Sequence, residues 1–129
     1  MEDIAGKWEL EGFPVGGDGK EKRGLHKLIL ERSGERISGE SYYLIDPATG
    51  EENPDPSKSL SKITGEIVPR PANAPENSKN LVKIKRETNA GNLTALFFGV
   101  IESEDRIRGY FVNTFGRGGR FEMRRTGSC

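Results

Sequence analysis

Cysteine and histidine are almost absent from this sequence. Its one cysteine, Cys129, stands at the last position, which excludes an internal disulfide and any site made of several cysteines. The single histidine, His26, excludes a histidine-rich metal centre. We therefore expect neither a metal ion nor a cofactor.

Long apolar runs and an excess of one charge are missing as well. No stretch is apolar for the roughly 18 residues that a membrane helix needs, and no leader pattern follows Met1. Lys and Arg number 20 and Asp and Glu number 20, so no overall field attracts nucleic acid or an anionic membrane. We expect a cytoplasmic protein with no nucleic-acid or membrane partner, unless a secretion leader has been removed.

Helical periodicity is also missing, whereas alternation of apolar and polar residues is frequent. The 129 residues suffice for one domain, residues 1–129, and 17 glycines and 7 prolines divide the chain into short alternating segments. The longer loops are predicted at 14–22, 46–59 and 69–79, and shorter ones at 89–92 and 116–119. Strands are predicted at 4–13, 23–32, 35–45, 60–68, 80–88, 93–101, 106–115 and 120–125.

Consecutive strands of this number favour a closed, all-β, eight-stranded antiparallel up-and-down barrel. Closure removes the unpaired sheet edges, and about eight strands enclose room for side chains or one small ligand. The first and last strands would then pair, with Trp8 and Arg125 both facing inward at one rim. A guanidinium stacked on an indole there gains roughly 0.5–2 kcal/mol and covers the barrel floor.

The residues of this floor carry a family resemblance. Gly6-Lys7-Trp8 matches the Gly-x-Trp signature of the calycin superfamily, and Arg125 matches the arginine that covers that tryptophan. Residues 4–8 resemble the opening of avidin-type chains, and residues 37–42 resemble their third strand. The resemblance implies an avidin-like or lipocalin-like barrel with Gly6, Trp8 and Arg125 as its structural plug.

The biotin site of avidins is not reproduced. Avidins surround biotin with several tryptophans and place an asparagine and a serine shortly after the first. Here Trp8 is the only tryptophan, and Leu10 and Pro14 occupy the matching positions. We therefore expect a ligand other than biotin.

Inward-facing polar residues are predicted to gather at the rim opposite Trp8, the barrel mouth. A polar rim above apolar side chains is typical of a small-molecule pocket. No acidic residue shares the inward face near His26, so we assign no catalytic residue. The predicted ligand-binding residues are His26, Ser41, Tyr43, Arg86, Thr88, Phe97, Phe111, Asn113 and Met123.

The sixth predicted strand is apolar on both faces, so one apolar set must face outward. Exposed apolar patches usually mark contacts with another chain. We expect a homo-oligomer through strands six to eight, and the avidin resemblance implies the same. The predicted interface residues are Leu96, Phe98, Val100, Tyr110 and Val112.

Three functions agree with these patterns. The favoured one is a barrel that binds a small, partly apolar or amphipathic molecule beside His26 and above Phe97. A protein-interaction or inhibitor module with a closed barrel is an alternative. A barrel isomerase or cyclase is a further alternative, although no buried acid or base stands out for it.

Overall fold

The computed structural model describes residues 4–15, 24–45, 51–52, 60–76, 78–88, 94–114, 116 and 118–127. None of the described segments forms a helix long and apolar enough to cross a membrane. The described strands are β1 (Gly6–Val15), β2 (Gly24–Ser33), β3 (Arg36–Ile45), β4 (Ser61–Val68), β5 (Leu81–Thr88), β6 (Thr94–Ser103), β7 (Arg106–Asn113) and β8 (Gly118–Gly127).

The strands form one closed barrel in the order of the sequence. Each strand pairs antiparallel with the next, and β1 pairs with β8 to complete the circle. The closing register places Trp8 opposite Arg125. The predicted fold class, an all-β, eight-stranded antiparallel up-and-down barrel, is confirmed.

Alternation along each strand separates the core from the outer surface. In β5, Val82 and Ile84 are buried, whereas Lys83 and Lys85 between them are exposed. Successive side chains of a strand point to opposite faces, so the lysines keep their charges in water while the aliphatic side chains fill the interior. The interior half that contains Trp8 is packed with such aliphatic side chains, among them Ile101.

Two glycines let neighbouring strands approach closely where the sheet curls. A Cβ atom at Gly39 would lie against the carbonyl oxygen of Ile29, and one at Gly109 against that of Phe98. Any other residue would push these backbones apart. Glycine at such points is a known means of curving a sheet into a barrel.

The structure corrects the predicted strand ends at the mouth. Pro14, which the sequence assigns to a loop, extends β1 and lies opposite Gly119, and Gly119 itself belongs to β8. The described pairing of β1 with β2 runs to Gly12 and Gly24, and the pairing of β1 with β8 continues through Pro14 to Val15. Proline cannot donate a ladder hydrogen bond, so within sheets it is mostly confined to strand ends and edges.

Other predicted boundaries shift by a residue or two. β6 continues to Ser103, and β7 ends at Asn113. The predicted loop at 69–79 is irregular over its described residues. Several predicted segments lie wholly or partly outside the described residues, among them the loop at 89–92, residues 16–22 of the loop at 14–22, residues 46–50 and 53–59 of the loop at 46–59, and Phe115 at the predicted end of the seventh strand.

Candidate ligand site inside the barrel

The closed end of the barrel is built around Trp8. Its side chain is fully buried, and its indole Nε1 donates a hydrogen bond of 2.9 Å to the carbonyl of Ile4. The Arg125 guanidinium carbon lies 4.6 Å from the centre of the tryptophan ring. The same guanidinium donates to the carbonyls of Ala5 (2.6 Å) and Glu104 (2.7 Å), so it joins the chain start to the β6–β7 turn.

A continuous group of polar residues lines the inner wall near the other end. In the register, His26 lies opposite Tyr43, and Ser61 lies between Ser41 and Thr88. These pairings place the residues side by side across four neighbouring strands. We call the group the polar arc; it consists of His26, Ser41, Tyr43, Ser61, Arg86 and Thr88.

Sequence reasoning missed one member of the polar arc, Ser61. The serine is fully inside the wall, with 1% of its surface exposed. It stands two residues before the buried Ile63, so strand parity gives the signal that could have found it. It lies within the predicted strand 60–68 and is the first residue of β4, so the prediction omitted this residue and not the strand.

Arg86 is the one cationic side chain among the described residues that is buried. It is 4% exposed and lies between Ile63 and Ala95 in the register. Its guanidinium carbon is 4.6 Å from the centre of the Tyr43 ring. Its Nε and Nη2 atoms have no hydrogen-bond partner, and no described Asp or Glu is buried beside it.

His26 and Ser41 also hold buried polar atoms that lack partners. The Nδ1 atom of His26 and the Oγ atom of Ser41 make no hydrogen bond, although the His26 ring lies 4.4 Å from the Tyr43 ring. Burial lowers the pKa of His26 well below its usual value, and the charge of Arg86 lowers it further. The imidazole is therefore neutral near pH 7, and it offers one donor and one acceptor.

Aromatic side chains line the facing part of the wall, on β6 to β8. The Phe97 ring stacks on the Phe111 ring at 5.7 Å and meets the Phe121 ring edge-on at 5.3 Å. The Phe111 ring also lies over Gly12 of β1, 3.5 Å from where a Cβ atom would stand. We call Phe97, Phe111 and Phe121 the aromatic arc. The buried Met123 lies between Ile107 and Leu10 in the register.

Asn113 stands between the two arcs. Ala95 pairs with Arg86 on one side and with Asn113 on the other, so a single methyl group separates the two polar residues along the wall. Asn113 is half-buried. Toward the mouth, the inner wall thus carries polar side chains along β2 to β5 and aromatic side chains along β6 to β8, and Asn113 lies between the two arcs.

The predicted interface residues lie on the outer wall. Phe98, Tyr110 and Val112 are exposed, and Leu96 and Val100 are half-buried. Phe98 lies opposite Tyr110, and Leu96 opposite Val112, so these side chains form one apolar surface. That this surface joins two copies of the chain stays a prediction.

Metal chemistry has no evident site in the described part of the chain. No group of three or more His, Cys, Asp and Glu side chains comes together there. The acidic side chains that do form ion pairs are on the outer wall, as in the pairing of Arg108 with Glu102 at 3.0 Å.

The buried histidine predicts a specific pH dependence of stability. The pKa of His26 is lower in the folded protein than in the unfolded chain, where it is about 6.5, so the unfolded chain binds more protons below that pH. We expect the free energy of unfolding to fall by about 1.4 kcal/mol for each pH unit below about 6.5, until the pH reaches the pKa of His26 in the folded protein. Above about pH 6.5, His26 should not change the stability with pH.

Urea denaturation of the protein and of His26→Gln between about pH 4.5 and 8 measures this contribution, because carboxylates titrate alike in both proteins. The parent should lose more stability than the variant as the pH falls. If the free energy of unfolding depended on pH identically in the two proteins, protonation of His26 would not destabilise the folded protein.

Comparisons with known proteins support the fold. No protein-family model matches the sequence, and no curated protein matches it. Among solved structures, a redesigned β-barrel is similar with a TM-score of 0.64 and 10% identity, over 95% of this chain and 91% of that one. A de novo designed fluorescence-activating β-barrel is similar with a TM-score of 0.57 and 18% identity, over 95% of this chain and 93% of that one. At these identities the likeness concerns the barrel fold alone.

Proposed function

We propose that this barrel binds a small amphipathic molecule between the polar arc and the aromatic arc. The observation that carries this proposal is the set of buried polar atoms without partners on Arg86, His26 and Ser41. Buried polar groups are nearly always hydrogen-bonded, since an unpaired one costs free energy, and exceptions often mark a functional site. A ligand with a polar head and an apolar body would satisfy both arcs.

The outer apolar surface supports a second role, which is assembly. Tyr110 is 72% exposed and Phe98 is 48% exposed, and the two lie opposite each other on adjacent strands. The homo-oligomer through β6 to β8 therefore remains our proposal for this surface. Kinship with calycins is a proposal too, supported by Gly6-Lys7-Trp8 and the stacking of Arg125 on the indole.

The two surfaces can be distinguished with an uncharged fluorescent probe, N-phenyl-1-naphthylamine. We expect the probe to bind inside the barrel, so that Phe111→Ala weakens binding about tenfold, the loss of roughly 1.4 kcal/mol of ring stacking and contact. Fluorescence titration of the purified variants gives the dissociation constants.

Tyr110→Ala is the matched control, because Tyr110 is the chain neighbour of Phe111 and points to the outer wall. This variant should bind the probe like the parent. If Tyr110→Ala weakened binding of the probe and Phe111→Ala did not, the probe would bind on the outer surface. No binding to the parent protein would contradict the proposed function itself.

A further inference from the structure

The two Arg86 atoms without partners are adjacent on one edge of the guanidinium. Nε and Nη2 each hold an N–H that points to the same side of the planar group. This edge matches the two oxygens of a carboxylate, which accept the two parallel hydrogen bonds together. The unpaired edge of Arg86 is therefore complementary to a carboxylate.

The face of the guanidinium is already occupied, which directs a ligand to that edge. The Tyr43 ring covers it at 4.6 Å, and the flanking residues in the register, Ile63 and Ala95, offer no side-chain acceptor. Ionised groups that are buried require a counter-charge or strong hydrogen bonds. Among the described residues no buried acidic side chain supplies either.

The neighbouring orphaned atoms fit the same head group. Ser41 is fully buried and can donate its hydroxyl hydrogen, and the neutral His26 can donate its ring N–H. Only Arg86 contributes a full positive charge to the arc. One cation with neutral donors suits a group of a single negative charge better than a doubly charged phosphate ester.

We propose that the amphipathic ligand has a carboxylate head, held by the Nε–Nη2 edge of Arg86 beside Ser41 and His26, with its apolar body on Phe97 and Phe111. This assignment rests on the proposed function and adds the chemical class of the ligand. It also gives Arg86 a role in selecting the ligand rather than in folding.

Displacement of N-phenyl-1-naphthylamine at about pH 8, where carboxylic acids are ionised, tests the assignment. The competitors are octanoate and octan-1-ol, which share their chain and differ in charge, and 2-naphthoate and 2-naphthylmethanol, which form the aromatic pair. We expect each carboxylate to displace the probe at least tenfold more effectively than its alcohol. Inorganic phosphate alone should not displace it.

Arg86→Met should reduce this preference to less than twofold, each preference being the ratio of acid to alcohol displacement measured in the same variant. Arg86→Lys keeps the charge but not the two-donor edge, and it should keep only part of the preference. Arg108→Met, on the outer wall, is the control and should behave like the parent.

The outcomes separate the two levels of the proposal. If the parent binds the probe but prefers neither acid over its alcohol, or if Arg86→Met keeps the preference, the carboxylate assignment is wrong and the binding site remains. Displacement by phosphate as effective as by octanoate would also overturn the carboxylate assignment. Failure of the parent to bind the probe would remove the proposed function as well.

Discussion

Replacing Trp8 with alanine is expected to lower the free energy of unfolding by about 3–5 kcal/mol. The indole is fully buried at the closed end, and removing it leaves a cavity that the surrounding strands cannot fill. The substitution also removes the stacking partner of Arg125 and the donor to the Ile4 carbonyl. A domain of this size has roughly 5–15 kcal/mol of stability in total, so a large share would be lost.

Chemical denaturation followed by circular dichroism measures this loss, because Trp8 is the only tryptophan and its fluorescence disappears with it. Trp8→Phe retains an aromatic ring and should lose less, which keeps the test informative if the alanine variant does not fold. Phe98→Ala removes a half-exposed ring from the outer wall and should cost far less. A Trp8→Ala variant as stable as Phe98→Ala would show that the closed end does not depend on the indole.

Much of the fold could be predicted from the sequence because strands with one buried face show their periodicity. The alternation of Val82 and Ile84 with Lys83 and Lys85 is an example, since apolar side chains indicate the buried face and charged side chains the exposed one. The pairing of Trp8 with Arg125 followed from the same parity once closure was assumed. Local pattern and overall topology agree here, as expected for a sequence that specifies one structure.

The strand ends could not be predicted, because pairing partners decide them. Pro14 is predicted as a loop residue from its own chemistry, whereas in the structure it belongs to β1 and pairs with Gly119 of β8. Ser61, in contrast, lies within the predicted strand 60–68 and shares the inward parity of Ile63, but its pairing with Ser41 and Thr88 on other strands does not show in the sequence. Such neighbours are distant in the sequence.

The unpaired edge of Arg86, the central feature of the site, could not be predicted from the sequence either. Parity placed Arg86 on the inner wall, together with His26 and Tyr43. Whether a carboxylate pairs with the arginine depends on the positions of the acidic residues on all eight strands. In the structure, Nε and Nη2 of Arg86 have no hydrogen-bond partner. This observation, which the sequence cannot supply, is the basis for proposing a carboxylate ligand.

Replacing Arg86 with methionine is expected to raise the free energy of unfolding of the ligand-free protein by roughly 1–4 kcal/mol, the gain found when buried ionic groups are exchanged for apolar residues of similar volume. Arg86 is 4% exposed, and the contact of its guanidinium with Tyr43 offsets only about 0.5–2 kcal/mol of the cost of burying the charge. Methionine fills a similar volume with a flexible apolar side chain and carries no charge.

The sign of this change distinguishes a ligand-binding arginine from a structural one, and urea denaturation without ligand measures it. A residue that stabilises the fold is expected to weaken it when removed, as Arg125→Met should because that guanidinium donates to Ala5 and Glu104. Arg86→Met should do the opposite. Were it to destabilise the ligand-free protein as Arg125→Met does, Arg86 would hold the barrel together, and its unpaired edge would no longer be evidence for a carboxylate ligand.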